Sequence, residues 1–336
     1  MAVTGRGFTP SSTATVTYAG TVVVTSQTDR GGSLNTSFTV PLSATPGSTH
    51  VVVAVDDTTG RIVPAGHWVP LPSLSLEPAE GFPGTPFNVV GQGFLPSAVV
   101  RPIAFNGVDI SPYPYSTTDG FGAFVVQLTV PKLTGRDVTV SAAVRKGVAE
   151  TSFKVLPVTL GLTPSTGPPN TTVTVNGWNF PGSSDLGSMS IGGVDVLAGA
   201  ESLGGNLGLS TDVWGTFEVE VTVPEISSGD AEVIAEVAGV SAGSLLAVPP
   251  VVVNVTPAQG PVFGPITISG SGFPAFTLVT SMTIREVPVL SGHQLETDAD
   301  GAFSLRAMVP AFSPGAIRVS VTVGNISGST NFVITR

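Results

Sequence analysis

The chain has 336 residues, of which 41 are Gly, 29 are Pro and none is Cys. Hydrophobic residues make up 41% of the chain and charged residues only 11%, so apolar cores can form while the frequent turn residues oppose long helices. The absence of Cys excludes disulfides and thiolate-based metal or catalytic chemistry. A net charge of −10 opposes binding to nucleic acid or to an anionic membrane surface. The composition predicts an all-β protein of several domains, with no nucleic-acid partner and no membrane insertion.

A fourteen-residue block with the pattern T-D-x-x-G-x-(F/L)-x-x-x-x-x-V-P occurs four times. Its copies span residues 28–41, 118–131, 211–224 and 297–310. Successive Asp residues of the block are 90, 93 and 86 positions apart, which is the size of one β-sandwich. Asp can bond the backbone two residues further on and Gly can take a positive φ, so we expect both to form a turn. The turn-forming residues are Asp29, Gly32, Asp119, Gly122, Asp212, Gly215, Asp298 and Gly301.

Two other patterns accompany the block along the chain. A strand that ends in Gly-x-Gly-Phe or a close variant occurs at residues 3–10, 89–96, 175–181 and 268–274. An apolar opening strand that ends at Pro occurs at residues 74–84, 160–167 and 252–264, three times rather than four. Short proline-containing junctions separate the units, which predicts a semi-rigid, extended rod. The predicted repeats are residues 1–72, 73–157, 158–249 and 250–336.

The third unit carries a family resemblance. Residues 162–180 (LTPSTGPPNTTVTVNGWNF) and 189–196 (MSIGGVDV) resemble an IPT/TIG immunoglobulin-like domain, and residues 104–110 (AFNGVDI) repeat the same hairpin in the second unit. The repeated turn block is similar to that of tandem Ig-like repeats in bacterial and archaeal surface proteins. The resemblance implies four Ig-like β-sandwiches and an extracellular or cell-surface location, but no chemistry. Asn179 stands where the family pattern has Gly.

The polar residues do not form a recognisable catalytic or cofactor motif. The Gly-x-Gly pairs are followed by Pro or Ala and by no helical pattern, which opposes a dinucleotide site. The segment that begins at Asp298 opens like a calcium loop, but Val309 stands where the loop requires Glu. Asp56 and Asp57 leave a weaker calcium option open. His50, His67 and His293 lie in unrelated segments, which opposes a zinc site or a catalytic triad. We therefore predict a protein that is not an enzyme and has no cofactor, catalytic residue or metal site.

Exposed loop aromatics are the strongest indication of contact with another molecule. Phe121 and Trp214 occupy the second position after the turn Asp, and Tyr113 and Tyr115 lie in the loop SPYPYS. They can contact a glycan or a protein, or they can pack against the neighbouring repeat. The four N-x-S/T sequons, candidate glycosylation sites in a host that glycosylates Asn, are at Asn35, Asn170, Asn254 and Asn325.

The leading interpretation is a non-enzymatic extracellular structural protein, such as a stalk, a surface-layer subunit or a filament subunit. The alternative is an adhesin or carbohydrate-binding array, with other surface proteins or glycans as partners. The first repeat lacks its opening strand, which leaves a sheet edge uncovered. Either the sequence is an excerpt or has a misplaced gene start, or another subunit covers the gap. That subunit would lend a strand or pack residues 327–336 of its fourth repeat there, and such head-to-tail contacts propagate into filaments.

Overall fold

The computed structural model describes residues 1–133, 135–202, 209–290 and 294–336, which form thirty β-strands and one short 3-10 helix. Eight sheets result, and each takes its strands from one of the four predicted repeats. Alternation of buried and exposed residues along these strands follows the two-residue period of a sheet that faces a core on one side. The all-β prediction is therefore confirmed.

The first repeat, residues 1–72, has six strands in two sheets. They are β1 (Ala2–Arg6), β2 (Thr13–Tyr18), β3 (Thr21–Gln27), β4 (Ser33–Ser37), β5 (Ser48–Asp56) and β6 (Ile62–Val69). One sheet pairs β1 with β4, and the other has the order β3-β2-β5-β6. The core between them includes Phe8, Val16, Tyr18 and Leu34.

The second repeat, residues 73–157, has eight strands. They are β7 (Ser73–Glu77), β8 (Glu80–Gly81), β9 (Pro86–Gln92), β10 (Ile103–Phe105), β11 (Val108–Asp109), β12 (Phe124–Thr129), β13 (Arg136–Val144) and β14 (Gly147–Val155). The sheets have the orders β12-β9-β7 and β11-β10-β13-β14-β8. The rings of Phe87, Phe105 and Phe153 pack in the core, with centroids 5.0–6.0 Å apart.

The third repeat, residues 158–249, also has eight strands. They are β15 (Thr159–Thr163), β16 (Thr172–Trp178), β17 (Leu186–Ile191), β18 (Val194–Asp195), β19 (Glu201–Ser202), β20 (Phe217–Thr222), β21 (Gly229–Val237) and β22 (Val240–Val248), with the 3-10 helix at Leu197–Gly199. The sheets have the orders β15-β16-β20-β19 and β18-β17-β21-β22. The core includes Phe180, Met189 and Leu246.

The fourth repeat, residues 250–336, has eight strands. They are β23 (Val252–Thr256), β24 (Gln259–Pro261), β25 (Pro265–Ser271), β26 (Val279–Ile284), β27 (Val287–Pro288), β28 (Phe303–Met308), β29 (Gly315–Val323) and β30 (Ile326–Thr335). The sheets have the orders β23-β25-β28 and β24-β30-β29-β26-β27. The core includes Phe273, Met282 and Phe332.

A glycine in one strand makes room for an aromatic ring of the next strand in three of the repeats. A Cβ atom at these glycines would lie only 2.1–2.3 Å from a ring carbon, so no larger residue fits without a shift. The pairs are Gly91 with Phe124, Gly177 with Phe217, and Gly270 with Phe303. The first Gly of the Gly-x-Gly-Phe pattern thus leaves the space into which the ring of the turn-block Phe packs.

The opening segments of the later repeats contribute to both of their sheets. In the fourth repeat, β23 pairs antiparallel with β25 and β24 runs parallel to β30. The third repeat has the same arrangement, with β15 on β16 and a parallel bridge from Thr166 to Ala247. In the second repeat, β7 pairs with β9 and β8 joins the sheet beside β14. The opening segment therefore closes one edge of each sheet.

In the described part of the first repeat, β1 pairs only with β4, and β6 only with β5. Burial of the core residues differs beside the uncovered edge, where Val3 of β1 is only half-buried. Its counterparts Val89, Val175 and Ile268 are each fully buried.

Contacts between Cα atoms divide the chain into two compact units. The first comprises Met1–Glu80, Pro86–Thr129 and Asp137–Lys154. The second comprises Gly81–Thr85, Val130–Arg136 and Val155–Arg336, which include the third and fourth repeats. The four-domain division and its boundaries therefore stay a prediction, supported by the strand pairing.

Candidate functional sites

The Asp of each block organises the turn that precedes the paired strand. Its Oδ1 atom accepts hydrogen bonds of 2.8–3.0 Å from the backbone N–H groups two and four residues further on. These bonds lower the pKa of Asp29 and of Asp119. At Asp212, burial raises the pKa, but hydrogen bonds led by that from the Thr216 N–H outweigh it and the pKa is lowered. The carboxylates serve as structural acceptors of the turn.

The Gly of the block is sterically required as well as conformationally favoured. The four glycines have φ between +63° and +77°. A Cβ atom there would lie 1.8–2.2 Å from the backbone oxygen of the Phe in the Gly-x-Gly-Phe pattern. The N–H of that Phe donates to the carbonyl oxygen of the glycine at 3.0–3.3 Å. The pairs are Phe8 with Gly32, Phe94 with Gly122, Phe180 with Gly215, and Phe273 with Gly301. The turn is thus held against the loop at the end of the neighbouring strand.

The Thr that opens the block has a structural role that the sequence analysis missed. Its hydroxyl donates a hydrogen bond of 2.5–2.7 Å to a backbone oxygen of that loop and accepts one of 2.9–3.0 Å from a backbone N–H. The side chains are buried, so each hydroxyl satisfies two backbone groups that would otherwise lack a partner. The residues are Thr28, Thr118, Thr211 and Thr297. Their occurrence in all four copies was the available signal.

Asp56 is a buried carboxylate of the first repeat, only 1% exposed. Its Oδ2 atom accepts from the N–H and the hydroxyl of Thr9, and its Oδ1 atom accepts from the N–H groups of Thr58 and Thr59. Burial alone would raise the pKa of Asp56, but these hydrogen bonds, led by that of the Thr9 N–H, hold it well below its ordinary value. Both carboxylate oxygens are therefore already used by the protein.

The predicted contact aromatics are exposed. Tyr113 and Phe121 are 88% and 91% exposed, and Trp214 is also exposed. The rings of Tyr113 and Tyr115 meet edge to face with centroids 5.7 Å apart, and the Arg101 guanidinium lies 4.6 Å from the centroid of Tyr115. The sequence did not indicate that Arg101 would join this pair.

The four sequon asparagines are exposed, but two of them already have partners. The Asn170 amide nitrogen lies 3.2 Å from the Thr277 hydroxyl of the next repeat. The Asn325 amide nitrogen donates to Glu225 at 3.1 Å. Asn35 and Asn254 lie on the outward faces of β4 and β23.

The interpretation of the histidines as unrelated is wrong for two of them. His50 and His67 face each other across β5 and β6, because the hairpin places positions seventeen residues apart in register. His67 is hydrogen-bonded to the Tyr18 hydroxyl at 3.1 Å, and His50 stacks on the same ring. His293 lies outside the described residues. Among the described residues, no group of three His, Asp or Glu side chains is placed to hold a metal ion, and no helix is both long and apolar enough to span a membrane.

Comparison with known proteins gives a family match in the last repeat, where residues 250–334 match the IPT/TIG domain. Among solved structures, the chain is similar to the Escherichia coli adhesin FdeC, with 11% identity, a TM-score of 0.23 and coverage of 79% of this chain and 97% of that one. It is also similar to invasin, a bacterial integrin-binding protein, with 11% identity, a TM-score of 0.25 and coverage of 99% and 79%. A tetra-tandem repeat from a large adhesion protein shares 16% identity, with a TM-score of 0.21 and coverage of 99% and 95%. No curated protein matches the sequence.

Residues 250–334 thus match the IPT/TIG domain, and the strand pairing shows that the described part of the chain is built of β-sheets with the alternating burial of β-sandwich cores.

Proposed function

We propose that the chain is a non-enzymatic structural protein of the cell surface or extracellular space, a stalk or filament subunit built of stacked repeats. The observation that carries this proposal is the set of hydrogen bonds that the recurring polar residues make. The Thr, Asp and Gly of every block bond to the backbone of their own repeat, so they maintain the fold and are not arranged around a ligand. Electron microscopy of the purified protein tests the proposal, with slender particles expected and rounded particles contradicting it.

As part of this function we propose that the open edges of the first repeat accept a further strand. The strand β1 leaves one side unpaired within the described residues, and so does β6. Unpaired strand edges accept a further strand through backbone hydrogen bonds. The occupant would be a strand with apolar residues at alternate positions, supplied by a preceding segment of the same protein or by another molecule.

A synthetic peptide with the sequence of residues 73–84 tests whether these edges accept a strand. It should raise the unfolding temperature of the first repeat, because it supplies the pairing that β7 and β8 supply in the second. A peptide with Leu74 and Leu76 replaced by Asp is the control. An unchanged melting temperature at saturating peptide would contradict strand acceptance.

Adhesion to glycans is the alternative function, and the aromatic group of the second repeat favours it. Tyr113 is 88% exposed, so its ring can pack on the apolar face of a sugar ring, while the Tyr115 ring beside it is covered on one side by Arg101. Arg101 and Asp109 lie beside them, with 3.8 Å between Nε and Oδ2, and can bond to hydroxyl groups. The protein is strongly acidic, so a neutral glycan fits better than an anionic one.

A glycan array separates this alternative from a purely structural role. Binding to neutral glycans that is lost in Tyr113→Ala and kept in Phe121→Ala would support adhesion through this group. Absence of binding, or equal loss in both variants, would contradict it.

We also propose that glycosylation in a competent host falls on Asn35 and Asn254. The amide nitrogens of Asn170 and Asn325 already donate to the adjoining repeat, and a glycan on either nitrogen would occupy that space. Mass spectrometry of protein secreted from such a host should find the first pair modified and the second unmodified. Full occupancy of Asn170 would contradict this assignment.

A further inference from the structure

In each of the three later repeats, the last strand is bonded to the segment that opens the same repeat. A backbone N–H of the last strand donates to the carbonyl oxygen of the residue that follows the Pro of the opening segment, at 3.0–3.1 Å. In the second repeat the Leu156 N–H also donates to Gly81, two residues further along both strands, which is the stepwise pattern of parallel strands. The donor and acceptor pairs that recur are Lys154 with Ala79, Ala247 with Ser165, and Val333 with Ala258.

Each repeat adds further links to this parallel pair. In the second repeat, Lys154 Nζ lies 3.3 Å from Glu80 Oε2 across the two strands. In the third, the Gly167 N–H and the Thr166 hydroxyl both donate to the Ala247 oxygen, at 3.1 and 2.9 Å. In the fourth, the parallel register of β24 and β30 extends over three residue pairs. The pairing thus recurs although the residues that form it differ.

The parallel pair contributes little to the hydrophobic core. The six residues of the recurring donor and acceptor pairs are all exposed, whereas their neighbours on the last strand, such as Phe332 and Ile334 of β30, are buried. Pairing therefore removes little apolar surface from water. Its contribution to the repeat lies in the backbone hydrogen bonds, and so in the way that these bonds join the two strands.

The direction of the two strands decides how the pair responds to tension. Because the strands are parallel, the start of the opening segment and the end of the last strand lie at opposite ends of the pair. The chain enters the third repeat by the opening segment and leaves it by β22, so tension along the chain pulls the two strands past each other. All hydrogen bonds of the pair are then loaded together, whereas those of a hairpin pulled from its open end break one after another.

We propose that this parallel pairing makes each of the three later repeats resistant to tension applied along the chain. The inference rests on the proposed stalk function and identifies the contacts through which the stalk carries load. Forced unfolding is governed by the rate at which the folded state is lost. That rate depends on the bonds that break first, here those between the opening segment and the last strand, and much less on the turns that break afterwards.

Magnetic tweezers at constant force test the proposal on the third repeat within the full chain. The chain has no Cys, so Pro157→Cys and Pro250→Cys attach the two handles at exposed positions on either side of this repeat. Thr166→Val removes the hydroxyl bond to the Ala247 oxygen and keeps the shape of the side chain. It should shorten the lifetime of the folded repeat under force about fivefold, the factor that corresponds to one hydrogen bond.

Thr216→Val is the matched control. It also removes one hydroxyl bond from the third repeat, that of 2.8 Å to Asp212 Oδ2, but this bond lies in the turn before β20 and not between the parallel strands. The control should melt earlier than the wild type without load and keep the wild-type lifetime under force. Ala247→Pro is the stronger variant, because it removes the N–H that donates to Ser165 at 3.0 Å, and it should shorten the lifetime further.

An unchanged lifetime under force in Ala247→Pro would overturn the proposal. Equal shortening in Thr166→Val and Thr216→Val would overturn it too, because the load would then not pass mainly through the parallel pair. Failure of this inference is distinguishable from failure of the stalk function. Slender particles in electron microscopy together with either of these results would leave the stalk standing without the load path, whereas rounded particles would contradict the stalk itself.

Discussion

At the residue scale, three side chains of the repeated block divide one structural task. The Asp carboxylate satisfies backbone N–H groups inside the turn, and the Thr hydroxyl joins the turn to the loop beside it. The Gly permits the loop carbonyl to approach more closely than any Cβ would allow. Each role depends on a different atom, so no one of the three residues can replace another.

Gly215→Val should destabilise the third repeat by roughly 1–3 kcal/mol, because a β-branched residue is strained at φ +74° and its Cβ would meet the Phe180 oxygen at 1.8 Å. Calorimetry of the full chain measures the effect. Gly193→Val is the matched control in the same repeat, since φ is +81° there but no atom lies within 4 Å of the Cβ. Equal losses in the two variants would show that the close approach is unimportant.

Asp56 should make the first repeat sensitive to acid. Its folded-state pKa lies below that of the unfolded chain, which is about 3.9, so its contribution to stability is complete above that value and is lost as the pH falls further. We expect the unfolding temperature of the first repeat to decline below about pH 4.

Asp56→Asn provides the comparison. An amide nitrogen in place of Oδ2 would face the Thr9 N–H and hydroxyl, so the variant should melt earlier than the wild type at pH 7 and respond less to acid. If the two proteins lose the same stability between pH 7 and pH 2, the carboxylate does not have this role.

The sequence predicts the structural roles of some of these residues and not of others. Asp and Gly were assigned to the turn because their backbone preferences are local properties. Thr28 and its counterparts were missed because their partners lie sixteen to thirty positions away. For the same reason the sequence did not predict that Asp56 would bond to Thr9, 47 residues away, or that His50 would pair with His67.

At the element scale, the opening segment decides whether a repeat is complete. In the later repeats it pairs with one sheet and then crosses to the other, and in the described part of the first repeat the corresponding edges of β1 and β6 have no partner. The sequence predicted the opening strands of the three later repeats from pattern alone, because strand period and proline position are local. It did not predict the crossing, which depends on how the two sheets lie against each other.

The hydrogen bonds between the third and fourth repeats should hold these two repeats in one orientation. Because the chain has no Cys, Ser241→Cys and Ser304→Cys allow spin labels on exposed strand positions of the two repeats. Asn170→Gly with Asn325→Ala should broaden the measured distance distribution, since the first change keeps the positive φ and both remove an amide donor. Asn35→Ala is the control, and an unchanged distribution in the double variant would contradict a hydrogen-bonded junction.

At the scale of the whole molecule, only 11% of the residues are charged and none is Cys. The proposed stalk would require stable repeats and defined junctions, which backbone hydrogen bonds, apolar cores and proline can supply without charged side chains. The fold class and the unit size follow from sequence, because the period is repeated four times. The fit of one repeat on the next does not, because it depends on single residues such as Asn170 and Glu225.

Small-angle X-ray scattering of the full chain tests the central claim most directly. Strands of about eight residues at ~3.3 Å per residue, plus loops, give a repeat of ~30–40 Å and a stacked array of ~120–150 Å. We expect a maximum dimension in that range and a distance distribution with the long tail of a rod. A symmetric distribution that ends near ~70 Å, the size of a compact particle of this mass, would contradict it.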